Sequence, residues 1–348
     1  MYIQNIIMKN FRNFENKTLS FKPGLNVLFG SSGSGKSNVL HAIIIAMNGC
    51  NLCMPDMPRI KFRKADARVS YVKDKRTFIK KLDWPEITCT AMLDQEYTWN
   101  MFKYNYTAST IIENQPNPQF QTMYPIFNYF YSYIEDRDTC EYRRVLSLTN
   151  KFMNYFEKCY VICDEFQVES LYQYDDNIVN LHQLNAGKRK LLNLCVALAT
   201  QMQLTNYDAK NFNEAPGIVL IDNIDTFIYP EWQWKVLDAL TKTFPNVQFI
   251  VTTQSPIILA STHINCINME GWTIDCYGLS PNEILTTVLT SKRYPEKILA
   301  MEREFASAIK NKNFDSAKKL IEEANATWHA NSEQLLSMNI TLDLEQLQ

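Results

Sequence analysis

The sequence predicts an α/β fold built on a parallel or mixed sheet. Three observations carry that expectation. A glycine cluster at 30–35 lies between an apolar strand and a helix that is apolar nearly all round. A second apolar strand, 217–222, ends in a carboxylate. Strand and helix then alternate from 184 to 269.

Residues 1–29 read as short strands: Ile3, Ile6 and Ile7, then Leu19 and Phe21, then Leu25 to Phe29 running into the glycines. Residues 36–47 have no breaker and match a helix buried against a sheet. The stretch 50–180 is rich in Tyr, Phe and Asn, carries Pro at 55, 58, 85, 116, 118 and 125, and shows no heptads, so no long coiled coil is expected. A helix is expected over 184–203, a strand over 217–222, a helix opening at Pro230, a strand over 247–253 and a short strand near 264–269. From 282 the tail reads as helical. Ile298, Met301, Phe305 and Ile309 share one face, and Phe314, Ala317, Leu320, Ile321, Ala324 and Trp328 share another. Trp232 and Trp234 read as packing of the helix at 230.

Composition narrows the class. Of 348 residues, 46% are hydrophobic and 21% charged, enough to bury a core, and a net charge of -2 excludes a polybasic coat for nucleic acid. Polar residues interrupt the N-terminus every few positions, so no export signal is read there, and no apolar run suits a membrane span. The expectation is a cytoplasmic protein. Nine scattered cysteines fit reduced thiols. Cys50 and Cys53 form one CxxC, Cys159 and Cys163 lie four apart, and no histidine sits at zinc-finger spacing, so buried small side chains are favoured over a metal site.

Gly30, Ser31, Ser32, Gly33, Ser34, Gly35, Lys36 and Ser37 match G-x-x-x-x-G-K-[ST] in full. A loop whose successive N–H groups point inward at phosphate oxygens needs glycine for the bend and for the close approach. The following helix aims its positive end at the same anion. Lys36 then suits the β- and γ-phosphates, and the Ser37 hydroxyl suits Mg²⁺. Asp222, at the end of the apolar run Ile218–Ile221, would be the second metal-side oxygen. Between them, Asn185, Ala186, Gly187 and Lys188 open a helix. They suit either γ-phosphate contact or an ordinary N-cap at Asn185.

The order of these motifs resembles the ABC-type ATPase heads of the SMC, RecF and OLD kind. Leu220-Ile221-Asp222-Asn223-Ile224-Asp225 running into Tyr229-Pro230-Glu231-Trp232-Gln233 is similar to the family pattern L-I-D-E-x-D…H-P-x-W-Q. Phe249 to Pro256 is similar to F-I-x-T-T-H-S-P. Phe11-Arg12-Asn13-Phe14 and Tyr277-Gly278 with the helical tail also fit. The set resembles the RecF-like AAA ATPases that include the ATPase subunits of Septu-type and retron-associated antiphage systems. The resemblance implies an N-terminal half of an ATPase head at 1–58, a middle insertion at 59–180, the C-terminal half at 181–278 and a helical tail at 279–348. It further implies ATP and Mg²⁺ as cofactors and a homodimer that closes face to face. There the signature motif of one copy, residues 185–189, completes the other's site, and Arg12 approaches the phosphates. An HNH-type effector nuclease is the implied partner, with reverse transcriptase or its RNA or DNA as another.

The departures from the pattern share one direction. The family's general base, a Glu, corresponds to Asn223, an amide that takes up no proton, so a contribution of ~10²–10⁴ in rate should be missing. The switch His corresponds to Gln254, which donates a hydrogen bond but does not become cationic. Asp225 and Glu165 are the carboxylates left to serve as base. The expectation is a chain that binds ATP–Mg²⁺, dimerises on it and hydrolyses it slowly. The alternatives are an active RecF-like DNA-dependent ATPase in repair and a nucleotide-bound scaffold of a retron complex. Residues 59–81 carry an excess of eight positive charges interspersed with Phe62, Tyr71 and Phe78, which fits either a nucleic-acid contact or a solvated basic hairpin.

Overall fold

A computed structural model of the chain describes residues 2–48, 66–73, 76–83, 101–105, 140–163, 170–174, 177–180, 183–205, 211–270, 272–329 and 332–346. The first part runs β1 (Tyr2–Phe11), β2 (Phe14–Ser20), β3 (Leu25–Phe29), α1 (Lys36–Asn48), β4 (Asp66–Lys73), β5 (Arg76–Asp83), β6 (Met101–Asn105) and α2 (Cys140–Met153). It continues through β7 (Cys159–Cys163), β8 (Ser170–Tyr174), β9 (Asn177–Asn180), α3 (Ala186–Thr205), β10 (Gly217–Asp222), α4 (Pro230–Thr243), β11 (Val247–Thr252), α5 (Pro256–Ala260), β12 (Asn265–Asn268) and β13 (Thr273–Ile274).

Two sheets enclose α1. One has the order β13-β12-β3-β11-β10-β6 and is parallel except for β13. The other, β2-β1-β4-β5, is antiparallel. One cluster takes Ile3, Ile6, Met8 and Phe11 from the antiparallel sheet, Val39, Leu40, Ala42 and Ile43 from α1, and Leu28, Ile218, Leu220 and Ile250 from the parallel sheet. This explains why α1 is apolar all round: it has a sheet on each side. Every residue of β10 and β11 is buried, hence their unbroken apolar runs.

A buried amide also bridges the two sheets. Gln248 on β11 accepts from Ile3 N–H at 2.7 Å and donates to the carbonyls of Ile3 and Lys22, both at 2.9 Å. The β1–β4 ladder shifts register between Ile3 and Asn5, beside that contact.

Mixed topology agrees with the fold class read from sequence, and no long coiled coil occurs among the described residues. The strands within 50–180 were not placed from sequence, apart from the basic hairpin that was one of the two readings of 59–81. Strands β4 and β5 extend the N-terminal sheet, β6 joins the parallel sheet beside β10, and β7-β8-β9 form a small antiparallel sheet. Helix α3 begins at Ala186 rather than 184 because Asn185 caps it, its Oδ1 accepting from Lys188 N–H at 2.9 Å.

Contacts divide the chain into residues 1–284 and 285–348. The second unit holds α6 (Glu296–Lys310), α7 (Phe314–Thr327) and α8 (Glu333–Gln346) around Phe305, Ala308, Ala317, Ile321, Ala324, Leu335, Met338 and Leu342. Among the described residues, no helix is long and apolar enough to cross a membrane.

Candidate functional site

The glycine loop takes the backbone shape its sequence requires. Gly30, Gly33 and Gly35 have φ of 145°, 79° and 99°, a region other residues rarely adopt. Gly35 is doubly constrained, since a Cβ there would lie 2.4 Å from Phe14 Cζ and 2.5 Å from Asn13 Nδ2. The β1–β2 turn braces the loop: Asn13 Nδ2 donates to Ser34 O at 3.2 Å, and Asn38 Nδ2 on α1 donates to Asn13 Oδ1 at 2.7 Å. Arg12, expected near the phosphates, has its Nη1 2.6 Å from both Asn38 Oδ1 and His41 Nδ1 on α1.

Lys36 is 6% exposed and folds back on its own loop, donating to Gly30 O at 3.0 Å and Ser31 O at 2.9 Å. Burial pulls its pKa down while Asp222 and Asp225 push it up. The Ser34 hydroxyl is buried with no hydrogen-bond partner. Such an orphan costs ~1–3 kcal/mol and is relieved by a polar ligand seated in the loop.

The start of α1 and the end of β10 meet at the loop's mouth. Ser37 Oγ donates to Asp222 Oδ1 at 3.0 Å, and Thr252 Oγ1 on β11 donates to the same oxygen at 2.6 Å. Two neighbouring ligands of an octahedral Mg²⁺ with metal–oxygen bonds of 2.0–2.1 Å stand about 3 Å apart, so the Ser37–Asp222 spacing fits the ion without rearrangement.

Beyond Asp222 the chain turns sharply. Asn223 has φ 51° and Phe227 φ 62°, and between them Asp225 Oδ1 accepts from Thr253 Oγ1 at 2.6 Å. Asn223 N–H donates to Thr252 Oγ1 at 2.8 Å. Gln254 is exposed at the end of β11, between Thr253 and Ser255, whose side chain caps α5.

On the helix α3 side, the candidates separate. Asn185 is exposed and spends its Oδ1 on the cap, and Lys188 forms an ion pair with Glu157 at 2.7 Å. Gly187 serves packing, since a Cβ there would lie 2.6 Å from Phe227 O. Sequence reasoning missed Lys190. It is fully buried, and its Nζ donates to the carbonyls of Asn223 at 2.8 Å, Ile224 at 3.0 Å and Thr226 at 2.8 Å. Burial lowers its pKa to about 8, against the pull of Asp225 and Asp222. A signal was available, a lysine immediately before a run, 191–200, that holds no charged residue.

Cys50, Cys53, Glu165 and residues 59–65, 74 and 75 of the basic segment lie outside the described residues. The rest of that segment falls on β4 and β5, which pair Arg68 with Lys81 and Lys73 with Arg76. Trp232 packs on Phe156, ring centroids 5.5 Å apart.

The RecF/RecN/SMC N terminal domain family model matches residues 2–269. The chain belongs to that family. As a RecF/RecN/SMC member it is an ABC-type head that resembles retron and Septu ATPases. The Retron Vc95 probable ATPase of Vibrio cholerae serotype O1 biovar El Tor is 31% identical over 153 residues, 40% of this chain and 30% of that protein. The Septu protein PtuA of Bacillus mycoides (strain KBAB4) is 26% identical over 285 residues, 74% of this chain and 39% of that protein. The chain thus spans well under half the length of the curated relatives it matches. Among solved structures, the SMC head bound to the C-winged helix domain of ScpA has a TM-score of 0.50 at 18% identity, with 77% of this chain and 94% of that one covered, a likeness of fold.

Proposed function

We propose that this chain is the nucleotide-binding head of a RecF/SMC-type ATPase in an antiphage defence complex, one that holds ATP and Mg²⁺ between two copies of itself and releases phosphate slowly or not at all. The observation that supports it is that Ser37 and Asp222 converge at 3.0 Å at the mouth of the glycine loop, while an amide, Asn223, follows directly. Bound Mg-ATP supplies the transferable phosphoryl group and the cation that neutralises it.

The chain's own residues then have distinct tasks. The amides of 30–35 and the Lys36 ammonium hold the phosphates. Ser37 and Asp222 hold the metal. The N–H groups that open α3 at Asn185 and Gly187 face the nucleotide of the other copy, and Gln254 donates a hydrogen bond at the switch position. None of these groups takes a proton from water, and Asp225 lies two residues beyond the base position that Asn223 fills, with its Oδ1 accepting from Thr253. The closed, nucleotide-filled pair is therefore long-lived, and in this reading its persistence restrains a separately encoded HNH-type nuclease. Similarity to the retron Vc95 ATPase and Septu PtuA supports the defence setting, with retron reverse transcriptase, RNA or DNA as a further partner through 59–81.

The test is ATP retention, assembly state and phosphate release for wild type and Asn223→Glu. Wild type should retain ATP as a dimer with near-zero turnover, and Asn223→Glu should turn over ~10²-fold faster or more. Equal and fast turnover in both would defeat the proposal. So would a chain that stays monomeric and empty at saturating Mg-ATP, or wild-type hydrolysis that DNA stimulates.

A further inference from the structure

Lys190 is spent on structure in an unusual way. All three N–H groups of a fully buried ammonium converge on three carbonyls of one tight loop, those of Asn223, Ile224 and Thr226. That loop is the one carrying Asn223 and Asp225, and the lysine comes from the helix that opens at Asn185. Gly187, one turn earlier, lets the carbonyl of Phe227 come so close that no side chain fits between. Two successive positions on one face of α3 therefore grip the two ends of the 223–227 turn, which begins and closes in the left-handed region at Asn223 and Phe227. From the other side, Thr252 Oγ1 holds Asn223 N–H and Thr253 Oγ1 holds Asp225.

We propose that Lys190 is a positioning residue that makes the first turns of α3 and the 223–227 loop one mechanical body. Whatever the 185–187 turn touches then resets the geometry around Asn223 and Asp225 of the same copy. This rests on the dimer reading above. There the turn at Asn185 belongs to one nucleotide site and Asn223 to the other, so Lys190 is the physical link by which filling one site alters the second. The chemistry suits the task. An ammonium has no fork geometry to satisfy, so three donors can meet carbonyls that point at one spot, and with burial complete no water substitutes for it. A hydrophobic residue of the same length would take this donor from the carbonyls of Ile224 and Thr226, leave Asn223 O only the Thr226 N–H at 3.2 Å, and let the loop choose its own conformation.

The experiment compares wild type with Lys190→Met and Lys190→Arg, using Mg-ATP titrations of the full chain and amide hydrogen exchange of the nucleotide-free chain. Wild type should bind cooperatively, with a Hill coefficient approaching about 2 for two linked sites. Lys190→Met should bind its first nucleotide within about threefold of wild type but with a Hill coefficient near 1. Without nucleotide, the amides of Ile224, Thr226 and Ile228 should exchange at least tenfold faster in Lys190→Met, while those of β10 and β11 stay unchanged. Lys190→Arg keeps the charge but not three donors at one point. It should shift both readouts in the same direction, and it decides the matter should Lys190→Met fail to fold. Unchanged cooperativity, or unchanged exchange at 224–228, in the folded variants overturns the proposal. A wild-type chain that binds ATP without cooperativity as a monomer overturns the dimer reading instead, and the exchange data still judge the clamp.

Discussion

Ser37 Oγ and Asp222 Oδ1 stand 3.0 Å apart across 185 residues of chain. The first is placed by the opening turn of α1 and the second by the last residue of β10, so the pair exists only when the parallel sheet has assembled around β3. Thr252 adds a third oxygen, at 2.6 Å from the same Asp222 atom.

Removing either member of that pair should separate metal from nucleotide. Ser37→Ala or Asp222→Asn should weaken binding of Mg-ATP by roughly ten- to a hundredfold, the value of one or two hydrogen bonds to charged groups. Binding of ATP in EDTA should change little. Calorimetric titration with and without Mg²⁺ reads the difference, and equal weakening under both conditions would remove the metal role.

Gly35→Ala should disable the loop rather than tune it. The new Cβ meets the Phe14 ring and the Asn13 amide at a backbone angle alanine resists. A loss of ~2 kcal/mol or more in stability is expected from the left-handed conformation together with the overlap, accompanied by loss of ATP binding. Thermal melts with and without nucleotide check both halves, and a wild-type melting shift on adding ATP would contradict the expectation.

Gln248→Leu keeps the size of the side chain and removes the bridge between the sheets. Ile3 N–H and Ile3 O lose their bonds to the amide, and Lys22 O keeps only the Asn26 amide at 2.7 Å. A cost of about 2–4 kcal/mol follows, visible as a lower urea midpoint at similar slope. A neutral outcome would mean that water replaces the amide.

Lys190 carries a pH dependence. Burial lowers its pKa from the ordinary 10.5 to about 8, so across that window the unfolded chain binds a proton that the folded chain has released. Stability from this group therefore rises with pH between about 8 and 10.5 and is lowest below about 8. Wild type should gain on Lys190→Met across the window by up to about 3 kcal/mol. The neutral amine has only two N–H groups for three carbonyls, so loop exchange at 224–228 should quicken over the same range. Parallel stability curves for the two proteins would count against the assignment.

Legibility of the molecule followed the range of its interactions. The glycine loop, β10, β11 and the tail helices were readable because each is written in a local pattern: fixed spacing, an unbroken apolar run, or a 3.6-residue period such as that through Ala317, Ile321 and Ala324. A hairpin near 66–83 was one reading of the basic segment, but its place in the N-terminal sheet was not legible, because its partner is β1, far away in sequence. Helix α8 was not singled out within the tail, since Leu336, Ile340 and Leu344 stay exposed opposite Leu335, Met338 and Leu342 and blur any single apolar face. At the site, the residue types were visible but their commitments were not. Lys188 is taken by Glu157, Arg12 by Asn38 and His41, and Lys190, Thr252 and Gln248 act through partners that no local window contains.

Lys36 has a further consequence. Its ammonium donates to the carbonyls of Gly30 at 3.0 Å and Ser31 at 2.9 Å, so the side chain expected to meet a phosphate also fixes the path of the loop's first two residues. Replacing it therefore alters the shape of the cradle as well as its charge.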